Sequence, residues 1–301
     1  MGLNIIGHRK IFLTISGILV AAAVVLIIAI GFRPGIDFTG GTLWQFRISP
    51  SPSVSEMQSF FANKLGISET IVNFDSASQV FLVRFPIISE NDHQQYISQL
   101  TSQYPSFKED SFQSVGPSVS DQLRQNALIS ILLVLIGISL YVAFAFRKVS
   151  RPVSSWKYGA ITLITLFHDV SIPAGFLVIL GKLKGVEIDT NSIVALLVVM
   201  GFSVHDTIVV FDRIRENLLL DRGRSEFGKV INDSINQTMA RSINTSLTLF
   251  VVLMALFIFG PITLKYFVLT LIIGTIAGAY SSIFVASPLL QVWQRFSDRR
   301  R

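Results

Sequence analysis

Six long apolar runs limit what this chain can fold into more than any other feature. Each is close to the ~20 residues that an α-helix needs to cross about 30 Å of hydrocarbon. Half of the residues are hydrophobic and 15% are charged, whereas soluble domains carry about 25% charged residues. The sequence therefore predicts an all-α polytopic membrane protein with six transmembrane helices, at residues 11–32 and, within 125–292, at 127–146, 158–180, 192–211, 243–260 and 266–290.

The first apolar run has an alternative interpretation as a cleaved signal peptide. The run is long for the apolar core of such a peptide, and no small-residue cleavage site precedes Phe32-Arg33-Pro34. We therefore predict an uncleaved transmembrane helix at 11–32, preceded by a cytoplasmic N-terminus at 1–10.

The basic residues predict the orientation of the spans. Most of the 25 Lys and Arg fall in residues 1–10, the loop around 147–157, the loop 212–241 and the tail 293–301. Because basic loops favour the cytoplasmic side, both termini are predicted to be cytoplasmic and residues 33–124 to lie outside the membrane. The loop 212–241 has enough residues for an amphipathic helix along the membrane surface. Basic residues in separate short loops do not form one face, so nucleic-acid binding is not expected.

The polar segment between the first two spans is predicted to be an inserted extracytoplasmic α+β domain. Its periodicity follows the order β-α-β-β-α-β of a ferredoxin-like unit. We see no catalytic constellation in it, and we predict that His93 is a solvated surface residue. The predicted elements are Thr42–Ile48, Val54–Leu65, Thr70–Phe74, Val80–Phe85, Glu90–Tyr104 and Phe107–Val115.

A glycine-rich motif, GIDFTGGT, joins the first span to the first strand. Its glycines are Gly35, Gly40 and Gly41, and its acidic residue is Asp37. Glycine allows tight backbone turns, and aspartate accepts hydrogen bonds from nearby backbone groups. The motif therefore predicts a tight, locally hydrogen-bonded turn between a membrane helix and a strand.

Two His-Asp pairs lie inside the apolar runs, His168-Asp169 near the middle of the third and His205-Asp206 late in the fourth. A carboxylate at the centre of an inserted helix costs roughly 2.5–3.5 kcal/mol, so an intramembrane acid is a functional candidate by default. The alternative for Asp206 is a buried carboxylate satisfied by hydroxyl groups without a role in transport. The alternative for His168-Asp169 is a structural hydrogen bond.

Helical spacing suggests neighbours for Asp206. Ser203 and Thr207 are close to it on the same helix surface by sequence spacing. Arg241, just before the fifth run, is a candidate counter-charge, and Thr245 and Thr248 extend a polar stripe from it. The alternative is that Arg241 extends to the lipid headgroups.

Two further patterns bear on chemistry and packing. The chain has no cysteine, which excludes a disulfide or thiolate metal site, and its histidines lack two-ligand helical spacing, so no metal or other cofactor is expected. In the sixth run Gly274, Gly278 and Ser282 recur every four residues, a spacing that predicts close helix packing.

The order of the motifs resembles a known family. Along the chain they read GIDFTGGT, GPSVSDQL, FHDV, GFSVHDTIVVFDRIREN, INQTMARSINTSLT and YSSIFVASPLL. This order is similar to that of SecF members of the SecD/SecF family, which are accessory to the bacterial Sec translocase. The resemblance covers nearly the whole chain and implies an RND-like half of six spans in the bacterial inner membrane, with a ferredoxin-like periplasmic domain.

The resemblance implies a transport role and no enzymatic reaction. With SecD, such proteins use the proton gradient, or a sodium gradient, to help unfolded secreted polypeptides through the SecYEG channel; YajC and YidC are further candidate partners. It places Asp206 and Arg241 on a proton path. From their positions in the apolar runs, and not from the resemblance, His205, His168 and Asp169 are additional candidates. The family commonly has Asn where this chain has His205, and its double glycine after the fifth span is reduced here to Gly260-Pro261.

Two other functions fit the same spans. One is half of a stand-alone RND-type exporter of lipophilic molecules, which would need to pair because such exporters usually join two six-span halves. The other is a structural assembly factor in which the intramembrane charges only hold subunits together. Co-purification with SecD and the Sec channel would favour the export function.

Overall fold

The computed structural model describes residues 2–76, 78–146, 153–221 and 223–298. Arg147, Lys148 and Arg151 of the predicted basic loop lie outside these ranges, as do the last three arginines of the tail. The chain forms two compact units. The first comprises Met1–Phe32, Ile129–Val186 and Asn191–Arg301, and the second comprises Arg33–Leu128 with Glu187–Thr190.

The described residues form ten α-helices, four strands, a short 3₁₀ turn at Ile262–Leu264 and a π-helical segment at Ser282–Ala286. The strands are β1 (Gly41–Arg47), β2 (Ile71–Asp75), β3 (Val80–Phe85) and β4 (Lys108–Val115). The helices are α1 (Arg9–Ile30), α2 (Ile36–Thr39), α3 (Val54–Asn63), α4 (Glu90–Gln103), α5 (Pro117–Ala145), α6 (Ser155–Lys184), α7 (Thr190–Asp221), α8 (Phe227–Phe259), α9 (Lys265–Ser281) and α10 (Ser287–Asp298).

The helical unit contains the spans that the sequence predicts. Six helical stretches in the described part of the chain are long and apolar enough to cross a membrane: α1, α5, α6, α7, α8, and the continuous stretch Lys265–Ser297. The six-span prediction is therefore confirmed. Helix α6 buries most of its apolar window, whereas α1, α5 and α8 leave most of theirs uncovered.

The segment 212–241 differs from the predicted surface helix. It consists of an extension of α7 as far as Asp221 and an extension of α8 from Phe227, with a turn between them. The extensions keep an apolar side facing the core, where Ile214, Ile231 and Ile235 are fully buried. Because these side chains continue the buried faces of the two spans, both helices run past the apolar runs instead of ending there.

The last span is interrupted by the π-helical segment, which separates α9 from α10. Pro288 follows this segment closely and has no backbone N–H to donate. A π-helical turn within a membrane-spanning stretch is one way in which a helix accommodates such a residue. The predicted single helix at 266–290 is therefore two α-helices joined by a wider turn.

Small residues in the helices allow close packing, as their spacing predicts. A Cβ atom on Gly274 would lie 2.1 Å from Val199 Cγ2, and one on Gly278 would lie 3.2 Å from Ser203 Cβ. Both glycines therefore bring α9 close to α7. Helix α1 approaches α6 in the same way at Gly175.

The α+β unit has the predicted β-α-β-β-α-β order. Its four strands form an antiparallel sheet in the order β2-β3-β1-β4. Residues of α3 and α4 pack on this sheet around a core that includes the fully buried Trp44, Phe46, Phe61, Phe81 and Leu100. Ser53 caps α3 and a capping box at Ser89 starts α4.

The prediction that His93 is solvated is wrong. Its side chain is 5% exposed, its ring stacks on Phe112 with centroids 3.6 Å apart, and its Nε2 lies 2.8 Å from Glu109 Oε2. His93 is seven residues before the buried Leu100, so both lie on the face of α4 that covers the sheet. Because α4 is polar overall, its sequence pattern did not indicate this short buried face.

Candidate functional site

The centre of the helical unit contains a fully buried carboxylate, Asp169 on α6. Its Oδ2 accepts hydrogen bonds from the hydroxyl of Ser203 on α7 and from that of Ser281 on α9, the latter at 2.6 Å. Its Oδ1 lies 2.7 Å from His168 Nδ1. Three helices therefore meet at one carboxylate.

The close approach of α9 and α7 explains why Ser203 and Ser281 can share this carboxylate. Gly278 lies opposite Ser203, and Ser281 follows about one helical turn later on α9. A larger residue in place of Gly278 would separate the helices and lengthen the hydrogen bonds to Asp169.

His168 is 3% exposed, and its two ring nitrogens have different surroundings. Nδ1 faces Asp169, whereas Nε2 is buried without a hydrogen-bond partner among the described residues. The ring of Tyr280 lies roughly parallel to the imidazole, with centroids 6.2 Å apart. The His168-Asp169 pair, called the dyad below, thus has one ring nitrogen with a hydrogen-bond partner and, among the described residues, one without.

Asp206 on α7 is 2% exposed and accepts a hydrogen bond from Ser246 Oγ of α8 at 3.1 Å. The expected polar neighbours make other contacts. The Ser203 hydroxyl donates to Asp169, and the Thr207 hydroxyl donates to the Ser203 carbonyl at 3.2 Å. Ser203 therefore bonds to Asp169 and precedes Asp206 by three residues on the same helix.

The structure does not bring Arg241 to Asp206. Arg241 is exposed, and within the described ranges no ion pair joins it to Asp206. Thr245 donates to the Arg241 carbonyl and the exposed Thr248 donates to the Thr245 carbonyl. The stripe of Arg241, Thr245 and Thr248 therefore lies on the outward side of α8, away from the buried side that holds Ser246.

The sequence analysis missed Ser246 and Ser281 as partners of the two carboxylates. A signal for the first exists, because hydroxyl residues recur every four positions along α8 and all are buried: Ser234, Thr238, Ser242 and Ser246. This stripe marks the face of α8 that packs inward. Ser281 adjoins the predicted small-residue stripe of α9 and carries no separate signal. His205 is exposed on α7, unlike the buried carboxylate beside it.

The glycine-rich motif forms the predicted tight turn with local hydrogen bonds, from Thr39 N–H to the Gly35 carbonyl and from Gly40 N–H to the Ile36 carbonyl, but its aspartate makes a distant contact. Residues Ile36–Thr39 form the short helix α2, and the Asp37 carboxylate reaches outside the motif; its Oδ2 accepts the backbone N–H of Thr190 at 2.8 Å. Gly35 N–H donates to the Ile188 carbonyl, also at 2.8 Å. The motif therefore anchors residues 187–190 within the α+β unit. The last of these residues, Thr190, is the first residue of α7.

Two of the glycines are needed for backbone conformation. Gly40 and Gly41 have φ angles of 72° and 115°, which favour glycine. A Cβ on Gly41 would also lie 3.1 Å from the Phe85 carbonyl oxygen. These residues turn the chain from α2 into β1.

A largely buried ion pair lies beside the motif. Arg84 Nη1 contacts Glu187 Oε1 at 2.8 Å, and Arg84 Nη2 donates to Thr39 Oγ1 at 2.7 Å. Burial raises the pKa of Glu187 above its ordinary value, and this effect outweighs the opposing attraction of Arg84 and Arg33. The ion pair therefore joins β3, the motif and the 187–190 segment.

Comparison with known proteins agrees with this arrangement. The family model described as protein export membrane protein SecD/SecF, C-terminal, matches residues 95–296, and the SecD/SecF GG motif model matches residues 25–51. The second match contains the glycine-rich motif. The first contains the membrane-spanning helices α5 to α9 and both buried carboxylates.

Two similar proteins and one solved structure cover almost all of this chain. The protein translocase subunit SecF of Thermobaculum terrenum is 42% identical, over 97% of this chain and 94% of that protein. The SecDF subunit of Thermus thermophilus is 34% identical, over 97% of this chain but 38% of that protein. A crystal structure of Thermus thermophilus SecDF, described as a translocon-associated membrane protein, has a TM-score of 0.85 and 33% identity, covering 98% of this chain and 39% of that one.

The resemblance noted from the motifs is thus confirmed over nearly the full length. Six membrane-spanning helices, the small antiparallel sheet and the glycine-rich motif all fit the same family. The chain belongs to the SecD/SecF family of protein-export membrane proteins.

Proposed function

We propose that this chain works with SecD to promote the export of unfolded polypeptides across the bacterial cytoplasmic membrane, driven by a proton or sodium gradient. The similarity to SecF translocase subunits supports the export role. The SecDF protein of Thermus thermophilus supports the SecD partnership, because this chain matches only 38% of it. That SecDF is described as translocon-associated, which supports SecYEG as the channel that this chain assists. Both termini are proposed to be cytoplasmic, on the distribution of basic residues.

The observation that carries the proposal is the buried carboxylate of Asp206. Its one described hydrogen bond comes from Ser246, and no lysine or arginine in the described part of the chain forms an ion pair with it. A buried carboxylate without such a cation is costly when charged and inexpensive when protonated. Asp206 is therefore suited to bind and release a cation, above all a proton.

The outward face of α8 supports a helical partner. Arg241, Thr245 and Thr248 lie on this face, on the same helix as the exposed apolar residues Val251 and Val252. An arginine facing lipid is costly near the membrane interior. A SecD helix that covers this stripe would give Arg241 an acidic partner and place it in the proton path of the complete complex.

The mechanism follows from the change in charge. A proton that moves down the membrane potential releases about 2.3 kcal/mol per 100 mV. This free energy biases a two-state helix packing by more than about tenfold. Neutralised Asp206 changes how α7 packs. Because α7 begins at Thr190, which belongs to the external α+β unit, movement of the helix is passed to that unit through the chain.

The test replaces Asp206 with asparagine, which keeps the shape and removes the titrating group. Full-length chain and SecD are reconstituted with the Sec channel in vesicles, and export is measured with and without a proton gradient. We expect Asp206→Asn to assemble but to lose the gradient-driven part of export. Asp212→Asn, on the same helix and exposed beside Arg215, is the matched control that retains it. Wild-type export in Asp206→Asn would sink the proposal.

A further inference from the structure

We propose that His168 is a second proton-binding site, at its Nε2 atom, with Asp169 as the group that orients the ring and balances the charge. This inference rests on the proposed function and extends it. Asp206 binds one cation on α7, and His168-Asp169 binds a proton on α6 in the same helical unit.

The hydrogen bonds of the imidazole determine its tautomer. Nδ1 lies 2.7 Å from Asp169 Oδ1, so a neutral ring carries its hydrogen on Nδ1. Nε2 is then a lone-pair acceptor. It is buried with no hydrogen-bond partner among the described residues. A buried acceptor with no donor is costly. A proton that binds there turns Nε2 into an N–H donor, and the Asp169 carboxylate balances the positive charge of the ring.

The carboxylate is arranged for its ionised form. Asp169 accepts from His168 and from the hydroxyls of Ser203 and Ser281. Three donors therefore surround the two carboxylate oxygens, an arrangement that an ionised carboxylate accepts. Asp169 can then balance a positive charge on the ring, and Nε2 is the ring atom left for a proton.

The step is a simple proton transfer. A hydronium ion gives its proton to Nε2, so an N–H bond forms, an O–H bond breaks and a water molecule is left. The dyad changes from a net charge of −1 to 0. In a buried site this neutralisation is favourable, because an uncompensated charge is more costly there than a hydrogen-bonded ion pair.

Other titratable groups around the dyad are few. Helix α1 carries none between Ile11 and Ile30, and the π-helical segment carries none. Helix α9 contributes Tyr280 beside the ring, while its Lys265 and Tyr266 lie at the other end of the helix. On α7 the nearest buried group is Asp206, since its neighbour His205 is exposed.

Ser203 connects the two proposed sites. Its hydroxyl donates to Asp169, and Asp206 follows three residues later, about 4.5 Å along the axis of α7. Two negative charges in the same buried helical unit repel each other. Protonation of His168 removes the net charge of one site and so makes the charged form of Asp206 less costly.

The first experiment measures the protonation of the His168 ring directly. Full-length chain with ¹⁵N-labelled histidine is reconstituted with SecD in lipid nanodiscs, and imidazole nitrogen shifts are followed between about pH 5 and pH 8. His168→Asn identifies the signal by its loss; if that variant does not assemble, the shift caused by Asp169→Asn identifies it. We expect Nδ1 to stay protonated and Nε2 to gain a proton as the pH falls. A ring protonated on Nε2 at every pH, or one that never gains a proton, overturns the inference.

The second experiment measures gradient-driven export in the vesicles used for Asp206→Asn. His168→Asn retains an N–H near Asp169 but has no Nε2, and we expect export to fall at least about tenfold with a changed pH profile. His8→Asn, an exposed histidine near the N-terminus, is the matched control. Wild-type export and pH profile in His168→Asn overturn the inference. Loss of export in Asp206→Asn with no protonation of His168 defeats this inference alone, whereas normal export in Asp206→Asn defeats the proposed function.

Discussion

Asp37 and Thr190 are 153 residues apart in the sequence, yet the Asp37 carboxylate accepts the backbone N–H of Thr190 at 2.8 Å. Thr190 is the first residue of α7, where the backbone N–H groups have no partner within the helix. An acidic side chain at this position satisfies one of them and interacts favourably with the helix dipole. The glycine-rich motif therefore supplies a cap for the helix that carries Asp206.

Removal of this cap should loosen the start of α7. We expect Asp37→Ala to cost about 1 kcal/mol locally, by analogy with other lost caps. Hydrogen exchange of the first amides of α7 should then be roughly fivefold faster, since about 1.4 kcal/mol corresponds to a factor of about ten. Asp37→Asn keeps an acceptor oxygen and should show a smaller effect. Equal exchange in all three proteins would contradict the capping role.

The raised pKa of Glu187 predicts a pH dependence for the α+β unit. A carboxyl whose folded pKa is above its unfolded value stabilises the fold fully below the unfolded pKa, 4.5 for glutamate, and this contribution is lost as the pH rises through the folded pKa. The free energy of unfolding should therefore decline across the range just above pH 4.5. Glu187→Gln should flatten this slope.

Denaturant unfolding of the full chain at a series of pH values, followed by a probe in the α+β unit, measures the slope. Glu69→Gln, on an exposed loop, is the matched control and should keep the wild-type dependence. A slope that persists unchanged in Glu187→Gln would assign the pH dependence to another group.

Two buried serines on α8 should respond differently to removal of the hydroxyl. Ser246 donates to Asp206, whereas Ser242 Oγ is buried without a partner in the described ranges. Ser246→Ala leaves the carboxylate without its hydrogen bond, which costs about 1–3 kcal/mol, and should reduce gradient-driven export several-fold. Ser242→Ala should leave export unchanged and stability equal or slightly higher. The same effect of both variants on export would argue against a specific role for Ser246.

Helix packing predicts opposite effects at two glycines. A Cβ on Gly175 would lie 2.7 Å from Ala23 Cβ and 2.9 Å from its Cα, so Gly175→Ala should force α1 and α6 apart at a cost of about 1–3 kcal/mol. Gly137 on α5 has no atom within 4 Å of its added Cβ, and Gly137→Ala should stabilise that helix by about 0.5–1 kcal/mol. Thermal unfolding in detergent compares the two. A stabilised Gly175→Ala would show that the interface is looser than these distances indicate.

The sequence by itself determined the six spans and the main elements of the α+β unit, because their signals are local. Apolar runs of about 20 residues specify spans, and alternation with helical spacing specifies β1 to β4 with α3 and α4. The two intramembrane aspartates also stand out locally, since any acid in an apolar run does. The family follows from motifs that are likewise continuous in the sequence.

Only the tertiary structure decided which of these residues meet. Asp169 accepts hydrogen bonds from Ser203 and Ser281 on two other helices, and Asp206 accepts one from Ser246 on a third. Asp37 accepts one from a backbone N–H 153 residues away. Arg241 faces outward because the hydroxyl face of α8 is the one that packs inward. Helical periodicity tells which residues share a face, but the choice of the face that is buried and of its neighbour depends on the packing of all helices together.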